Sequence, residues 1–369
     1  MGSSFLSIIN LTIICGISLM IQIVYWYGVF NRLKNRIATD ADEKIQPSVC
    51  ILICSKNGAS NLKNLIPLLL NQSYPNFTIL IANDHSSDNT EALLKDYQKE
   101  HHTIRYFNVT LDRPGKKQAL VEAIDYIDAE WILFTDVDCR PSSSQWVEEM
   151  IGSGTSQNKS ITLGYSPYLT DKSLLSKWIA FENWIVGLFY LSFAIIGKPY
   201  MGVGRNMAIH KYLYRKEHLE SHMHLNSGDD DLTLQALFEK DNYTISLSRT
   251  SFTWTNPAPT FSAYANQKHR HYSTAGSYPS EIKYALSVFP FSQIVFYISA
   301  ILLLFKFTLV GAYFIIIRWA LIYPIQRRLQ RILELNLGSI WFLFFDVLLA
   351  VYYSIFSVSF ILPKSKKWS

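Results

Sequence analysis

Asp136 and Asp138 stand one residue apart at the end of an apolar run, Trp131-Ile132-Leu133-Phe134-Thr135, that begins after Glu130. A short apolar run of this kind reads as a buried strand of a parallel sheet. In such sheets ligands bind outside the carboxyl ends of the strands, which is where these two carboxylates lie. There they can hold a hard divalent cation, Mg2+ or Mn2+, against a phosphate, since Mg2+ usually takes one or two carboxylates plus substrate oxygens. Alone, however, a pair of this spacing is more often an acidic turn closing a strand.

Two further groups bear on that choice. Ser227-Gly228-Asp229-Asp230-Asp231-Leu232 precedes a helical run through Leu237. Three adjacent carboxylates repel one another, so one of them needs a raised pKa or a nearby cation, and a raised pKa suits a general base. The same acids would equally favour the dipole of a helix N-terminus. Arg270, in Gln267-Lys268-His269-Arg270-His271-Tyr272, offers a guanidinium that matches phosphate oxygens in a bidentate fork. A juxtamembrane basic stretch drawn to anionic lipid is the other reading of that segment.

The elements that must position these groups alternate along the chain. Val49 to Cys54 reads as a strand, Asn61 to Leu70 as a helix and Phe77 to Ala82 as a strand. The last ends in the polar turn Asn83-Asp84-His85-Ser86-Ser87-Asp88-Asn89-Thr90, which opens a helix over Glu91 to about Glu100. A strand over Thr103 to Asn108 follows, then Arg113-Pro114-Gly115-Lys116-Lys117 and an Ala/Leu/Ile helix reaching Ile127. Strands alternating with helices of this length predict an α/β domain with a doubly wound, mostly parallel sheet. Three strand-end loops then converge, carrying Asp84, Lys116 and the Asp136-Asp138 pair.

Cys54-Ser55-Lys56-Asn57, the Asn83 to Thr90 turn, Gly115-Lys116-Lys117-Gln118-Ala119-Leu120 and Asp136-Val137-Asp138 together resemble the nucleotide-sugar half of a family 2 glycosyltransferase, in order and in spacing, from about Val49 to Cys139. The resemblance implies a GT-A fold and inverting transfer from a nucleotide-sugar donor. It places Asp84 at the nucleotide base, Lys116 at the diphosphate, and Asp136 and Asp138 at sugar, metal and diphosphate. It assigns the acceptor-deprotonating base to an acidic pair matched by Asp229-Asp230 or Asp230-Asp231, with Asp230 common to both. Gln267 to His271 is similar to the Gln-x-x-Arg-Trp element of membrane-integrated members, with His271 in place of Trp. By that likeness Gln267 and Arg270 face the donor, and His271 lies beside the acceptor. Met201-Gly202-Val203-Gly204-Arg205-Asn206 resembles the Gly-rich loop near the acceptor, bringing in Gly202, Arg205 and Asn206. Asn57-Gly58 departs from the frequent Asn-Glu of the family, which leaves the identity of the base open.

The whole chain of 369 residues is 49% hydrophobic and 14% aromatic, rich for a soluble protein. A net charge of +5 is modest, and its basic residues gather near apolar segments, which fits membrane anchoring and argues against nucleic-acid binding. Four Cys make neither a disulfide framework nor a zinc spacing. Phe5 to Phe30 carries no charged side chain and predicts an N-terminal transmembrane helix over residues 1–30, followed by Arg32, Lys34 and Arg36. The positive-inside rule then puts the N-terminus outside and a domain spanning 45–280 in the cytoplasm of an inner or plasma membrane. Trp178 to Ile196 is apolar enough to span, but a crossing there would separate Asp229 to Asp231 from Asp136 and Asp138. It is expected to be an interfacial helix or, failing that, a buried one. Residues 284–369 predict a C-terminal membrane region of two or three apolar helices, the last containing Asp346 and ending in Lys364, Lys366 and Lys367.

The expectation is a membrane-bound inverting glycosyltransferase acting on a lipid-linked or saccharide acceptor in cell-surface polysaccharide or glycolipid assembly. A processive polysaccharide synthase with its own channel is the alternative, and a catalytically silent membrane scaffold the remote one.

Overall fold

The computed structural model describes residues 2–35, 46–111, 115–225 and 227–359, so Arg36, Arg113-Pro114 and the C-terminal lysines lie outside the described residues. In chain order it runs α1 (Gly2–Ile23), β1 (Val49–Ser55), α2 (Ala59–Leu70), β2 (Phe77–Asn83), α3 (Thr90–Glu100), β3 (Ile104–Asn108), α4 (Lys116–Ala123) and β4 (Trp131–Phe134). Then come β5 (Cys139–Pro141), α5 (Trp146–Thr155), β6 (Ile161–Leu163), α6 (Leu174–Ile195), β7 (Met207–His210), α7 (Lys216–Glu220) and α8 (Asp231–Leu237). The chain closes with β8 (Tyr243–Ile245), β9 (Thr253–Thr255), α9 (Phe261–Tyr272), α10 (Ser280–Lys306), α11 (Thr308–Ile332) and α12 (Ser339–Ser359).

The main sheet has the order β3-β2-β1-β4-β7-β6-β8. Its first four strands are parallel, with Val49 in register with both Phe77 and Trp131. β1 is apolar along most of its length and buried on both faces, as a central parallel strand must be. Ile51, Ile53, Ile79, Ile81 and Leu133 form a core with Leu62, Leu65 and Leu69 of α2 and Trp146 and Met150 of α5. Beyond β4 the sheet turns antiparallel at β7, and a separate two-stranded ribbon pairs β5 with β9. These strands of three or four residues are too short to show a hydrophobic period, which is why the alternation visible up to β4 is lost after it.

α1, α10, α11, α12 and the part of α6 from Phe181 onward form a separate helical unit. Four helices among the described residues are long and apolar enough to cross a membrane, Ile8–Lys34, α6, α10 and α11, and α12 carries a shorter apolar window. α1 runs antiparallel to α10, with Gln22 Nε2 donating to Ser292 O and Tyr25 Oη to Ala285 O. Gly311 lets α11 close on α10, since a Cβ there would meet Leu304 N at 2.4 Å. α6 is the buried member of the unit. Trp184 stacks on Trp26, meets Phe342 edge-on and donates Nε1 to Leu329 O at 3.4 Å, while Phe189 packs on Phe30 and Phe289. Those partners are the end of the N-terminal helical stretch, the start of α10, the end of α11 and the start of α12. Within this unit the stretch from Phe181 to Ile196 therefore meets the end of the bundle that carries Arg32, Lys34, Arg327, Arg328 and Arg331, with Trp184 and Phe189 turned to other helices.

Inside the same unit Arg318 of α11 makes a two-toothed pair with Asp346 of α12. The guanidinium also donates to Gln22 Oε1 at 2.7 Å and to Tyr297 Oη at 3.0 Å, and Gln293 Nε2 donates to Asp346 O at 2.9 Å. Charged side chains among apolar helices are costly and persist when fully paired, and here the pairing links α1, α10, α11 and α12.

Candidate active site

The site residues of the α/β unit hang on the carboxyl ends of β1, β2 and β4 and on the loops that face them. Asp84 follows β2, is almost fully buried, and is fixed by its N–H donating to Ser55 O at 2.8 Å. The next residue, His85, takes a left-handed backbone with φ 52°, which brings its Nδ1 to 2.9 Å from Asp84 Oδ1. Asp84 Oδ2, Ser55 Oγ and Thr135 Oγ1, at three neighbouring strand ends, are buried with no hydrogen-bond partner among the described residues. Buried polar atoms are normally paired, so three orphans at one sheet edge are groups that a polar ligand can satisfy. Asn57 ties the first two loops together, its Oδ1 accepting from Ser87 N at 2.7 Å and its N–H donating to Ser86 Oγ. Gly58 has a physical reason as well: a Cβ there would stand 2.3 Å from Ser55 Oγ.

Lys116, the first residue of α4, carries its ammonium to the middle of the acids. Nζ lies 2.9 Å from Asp136 Oδ1 and 3.2 Å from Asp229 Oδ2. Burial alone would lower its pKa, but Asp136, Asp229 and Asp230 outweigh that and hold it well above the ordinary lysine value. The triple acid splits by environment. Burial would also raise Asp229, yet Lys116 keeps it below the usual carboxylate value. Asp230 is pushed up to about 7 by burial and by Asp229 and Asp231, with Lys116 and the Gly204 N–H pulling the other way. That N–H donates to Asp230 Oδ2 at 3.1 Å. Asp231 turns elsewhere: its Oδ1 accepts from Leu232 N and its Oδ2 from the buried Thr274 Oγ1 at 2.5 Å, just past α9.

Asp138 sits on the other side of Asp136. Burial and the Asp136 charge raise its pKa, while Arg205 and a 3.2 Å hydrogen bond from Thr255 Oγ1 oppose them. Arg205 donates Nη1 to Tyr168 Oη at 2.9 Å with its guanidinium 4.7 Å above the same ring. Gln267 Nε2 reaches that hydroxyl at 3.3 Å. α9, which carries Gln267, Arg270 and His271, starts at Thr260, whose side chain accepts from Ala263 N. Buried Tyr264 holds it by accepting from Trp178 Nε1 at 3.1 Å. Among the described residues Arg270 has no carboxylate partner, and His271 is exposed.

The structure thus brings together Lys116, Asp136, Asp229 and Asp230, and beside them Asp138, Arg205 and Gln267. It places two residues of the Gly-rich loop in packing instead. Asn206 is fully buried, accepting from Trp146 Nε1 at 2.9 Å and donating to Tyr165 O and Ser251 O at 2.8 Å. At Gly202 a Cβ would meet Leu234 Cδ1 at 2.6 Å, so this glycine seats the loop on α8. Gly204 faces the acids, its would-be Cβ 3.3 Å from Lys116 Nζ and 3.4 Å from Asp230 Cβ. Four contributors escape a reading of motifs: Lys117, Tyr168, Thr255 and Thr274. Lys117 Nζ, lowered to about 8 by burial, donates to His222 O and Leu225 O at 2.7 and 2.9 Å and so braces the segment leading to the triple acid. Its only signal is its place beside Lys116.

Residues 50–217 match the glycosyl transferase family 2 domain. Over 116 residues, 31% of this chain and 28% of the relative, the protein is 26% identical to a poly-beta-1,6-N-acetyl-D-glucosamine synthase of Staphylococcus epidermidis. Over 92 residues, 25% of this chain and 30% of the relative, it is 25% identical to a GalNAc(5)-diNAcBac-PP-undecaprenol beta-1,3-glucosyltransferase of Campylobacter jejuni. The matches thus span less than a third of either relative's length. In fold it is similar to the mannosyltransferase PcManGT from Pyrobaculum calidifontis, solved in complex with GDP-Man and Mn2+, with a TM-score of 0.56, 14% identity, and coverage of 93% of this chain and 99% of that one. The parallel β3-β2-β1-β4 half, the apolar helices at both ends of the chain and these matches define a GT-A type α/β fold, and the chain carries a glycosyl transferase family 2 domain.

Proposed function

We propose that the protein is a membrane-anchored inverting glycosyltransferase that moves a sugar from a nucleotide-sugar donor to a lipid-linked or saccharide acceptor in cell-surface polysaccharide or glycolipid assembly. The observation that carries this reading is the placement of Asp230, with its raised pKa, in the field of Lys116, whose ammonium contacts Asp136 and Asp229. A carboxylate that titrates near neutrality beside a cation and a strand-end Asp-x-Asp has the parts for proton removal next to a diphosphate. The nucleotide base lies at the Asp84 loop, and the diphosphate lies by Lys116 and Arg270. Asp230 takes the proton of the acceptor hydroxyl as its oxygen attacks the anomeric carbon from the face opposite the leaving diphosphate, which inverts that carbon. Lys116 and Arg270 stabilise charge where it grows on the leaving group.

A divalent cation fits the donor set. Asp136 and Asp138 are carboxylates one residue apart, and burial together with the Asp136 charge raises Asp138, a cost that a cation held by the two would relieve. Among the described residues no cluster of three or more His, Cys, Asp or Glu is poised for metal, so the diphosphate would complete the shell. When bound, such an ion supplies Lewis-acid stabilisation of the leaving diphosphate. The basic residues after the first span put the α/β unit on the cytoplasmic side and the N-terminus outside, by the positive-inside rule.

The likeness to a poly-N-acetylglucosamine synthase favours a second reading, processive chain growth, though it covers under a third of that protein. Full-length protein in detergent, given a panel of nucleotide sugars with Mn2+ and membrane lipid extract, tests both. Release of nucleoside diphosphate coupled to single additions, absent in Asp230→Asn, is expected. Long polymer from the purified protein selects processive synthesis, and no donor turnover, or turnover undiminished in Asp230→Asn, refutes the assignment.

A further inference from the structure

Tyr168 lies in no motif, yet its hydroxyl is reached from both the Gly-rich loop and α9. It accepts from Arg205 Nη1 at 2.9 Å and from Gln267 Nε2 at 3.3 Å. Its ring also lies under the guanidinium, so Arg205 is held both in plane and from below. The backbone around Tyr168 is itself tied to the Asp-x-Asp wall. Leu169 N donates to Thr255 O at 2.9 Å, Thr255 N donates to Pro167 O at 3.1 Å, and Thr255 Oγ1 donates to Asp138 Oδ2. On the other flank Arg205 Nη2 reaches Ser166 O at 3.4 Å and Arg205 O accepts from Thr253 Oγ1 at 3.1 Å. The same ribbon, β5 with β9, therefore fixes Asp138 and presents the phenol.

We propose that Tyr168 is a positioning residue for donor chemistry, which sets Arg205 and Gln267 against Asp138 through its hydroxyl oxygen; the proposal rests on the glycosyltransferase reading. A neutral acceptor orients a guanidinium without adding negative charge beside it, which leaves more of that charge for a phosphate than a second carboxylate next to Asp138 would. Tyr168 supplies such an acceptor and is nearly buried, at 9% exposure. Removing the oxygen while keeping the ring leaves packing and the cation–π contact in place. The guanidinium and the Gln267 amide then lose their common reference, and small errors of position at a reacting centre are expensive.

The test is the substitution Tyr168→Phe in full-length protein, measured beside wild type, Gln267→Ala and the double variant with the donor that wild type uses. Expected is a melting temperature close to wild type, a kcat lowered about tenfold or more, and a double variant no worse than the poorer single one, since Tyr168 acts through Gln267 and Arg205. A purely structural Tyr168 would lower the melting temperature and leave kcat near wild type, and losses that multiply would mean that Tyr168 does not act through Gln267; either overturns the proposal. Absence of any turnover by wild type overturns the glycosyltransferase reading and this proposal with it. Turnover by wild type with unchanged kcat and KM in Tyr168→Phe overturns this proposal alone.

Discussion

The backbone N–H of Gly204 donates to Asp230 Oδ2 across 3.1 Å, so the carboxylate with the raised pKa is aimed by the Gly-rich loop and not by its own helix. This relationship joins two segments that are 26 residues apart, and with Asp230 as the proposed base it gives the loop a part in aiming that base. For turnover, Asp230 must be ionised to accept a proton. The rate kcat/KM is therefore expected to rise with pH through a limb centred near 7. Asp230→Asn should remove that limb and cost about 10²–10⁴-fold in kcat, the usual range for a general base. Initial rates between pH 5 and 9 check both, and a flat wild-type profile would contradict the assignment.

The same shift acts on stability with the opposite slope. A carboxyl raised to about 7 in the folded state binds its proton more tightly there than in the unfolded chain. Its contribution is full below the unfolded value near 4 and is lost as pH rises through 7. Asparagine cannot ionise. Asp230→Asn is thus expected to melt higher than wild type at pH 8 and to lose that advantage at pH 4, which thermal scans at the two pH values reveal.

Asn206 separates packing from chemistry. Its side chain is fully buried and makes three internal hydrogen bonds, to Trp146, Tyr165 and Ser251. Asn206→Ala leaves those groups unpaired, at about 1–3 kcal/mol for each buried group that finds no new partner. The expected outcome is a clearly lowered melting temperature with kcat near wild type at low temperature, where the fold persists. Acceptor KM raised with no change in melting temperature would return Asn206 to the acceptor side.

How far these roles were legible in the sequence depends on the element that carries them. Asp84, Lys116 and the Asp136-Asp138 pair sit at the ends of parallel strands long enough to show themselves, and β1 and β2 begin at the expected residues. Asp230 was marked by repulsion within its own triplet. Tyr168, Thr255 and Thr274 had no such signal, because they lie on a three-residue strand or in loops, and their partners are 37 to 117 residues away. Asn206 and Gly202 show the reverse: a motif marks both, and only the packing shows what surrounds them.

In the helical unit, Arg318 and Asp346 are buried and join α11 to α12. Removing one partner leaves an uncompensated charge among apolar helices, an effect on the order of 3–5 kcal/mol, whereas removing both can be nearly neutral. Arg318→Leu and Asp346→Leu are each expected to reduce the yield and melting temperature of detergent-purified protein, with the double variant recovering most of the loss. Recovery no better than the sum of the single losses would mean that the pair does not act as a unit.

Lys116 gives the sharpest test of the metal. Its ammonium touches Asp136 and Asp229 and lowers the proton affinity of Asp230. In Lys116→Met those carboxylates face one another uncompensated, so the variant should melt further below wild type at pH 8 than at pH 5, where Asp230 holds its proton. Donor KM should rise about tenfold or more with the loss of a phosphate contact. A divalent cation binding among the same carboxylates stabilises the folded state by mass action. Added Mn2+ is therefore expected to raise the melting temperature of Lys116→Met more than that of wild type, since the variant has more uncompensated charge to neutralise. Equal shifts in both proteins, or an equal response after Asp138→Asn, would place the cation elsewhere.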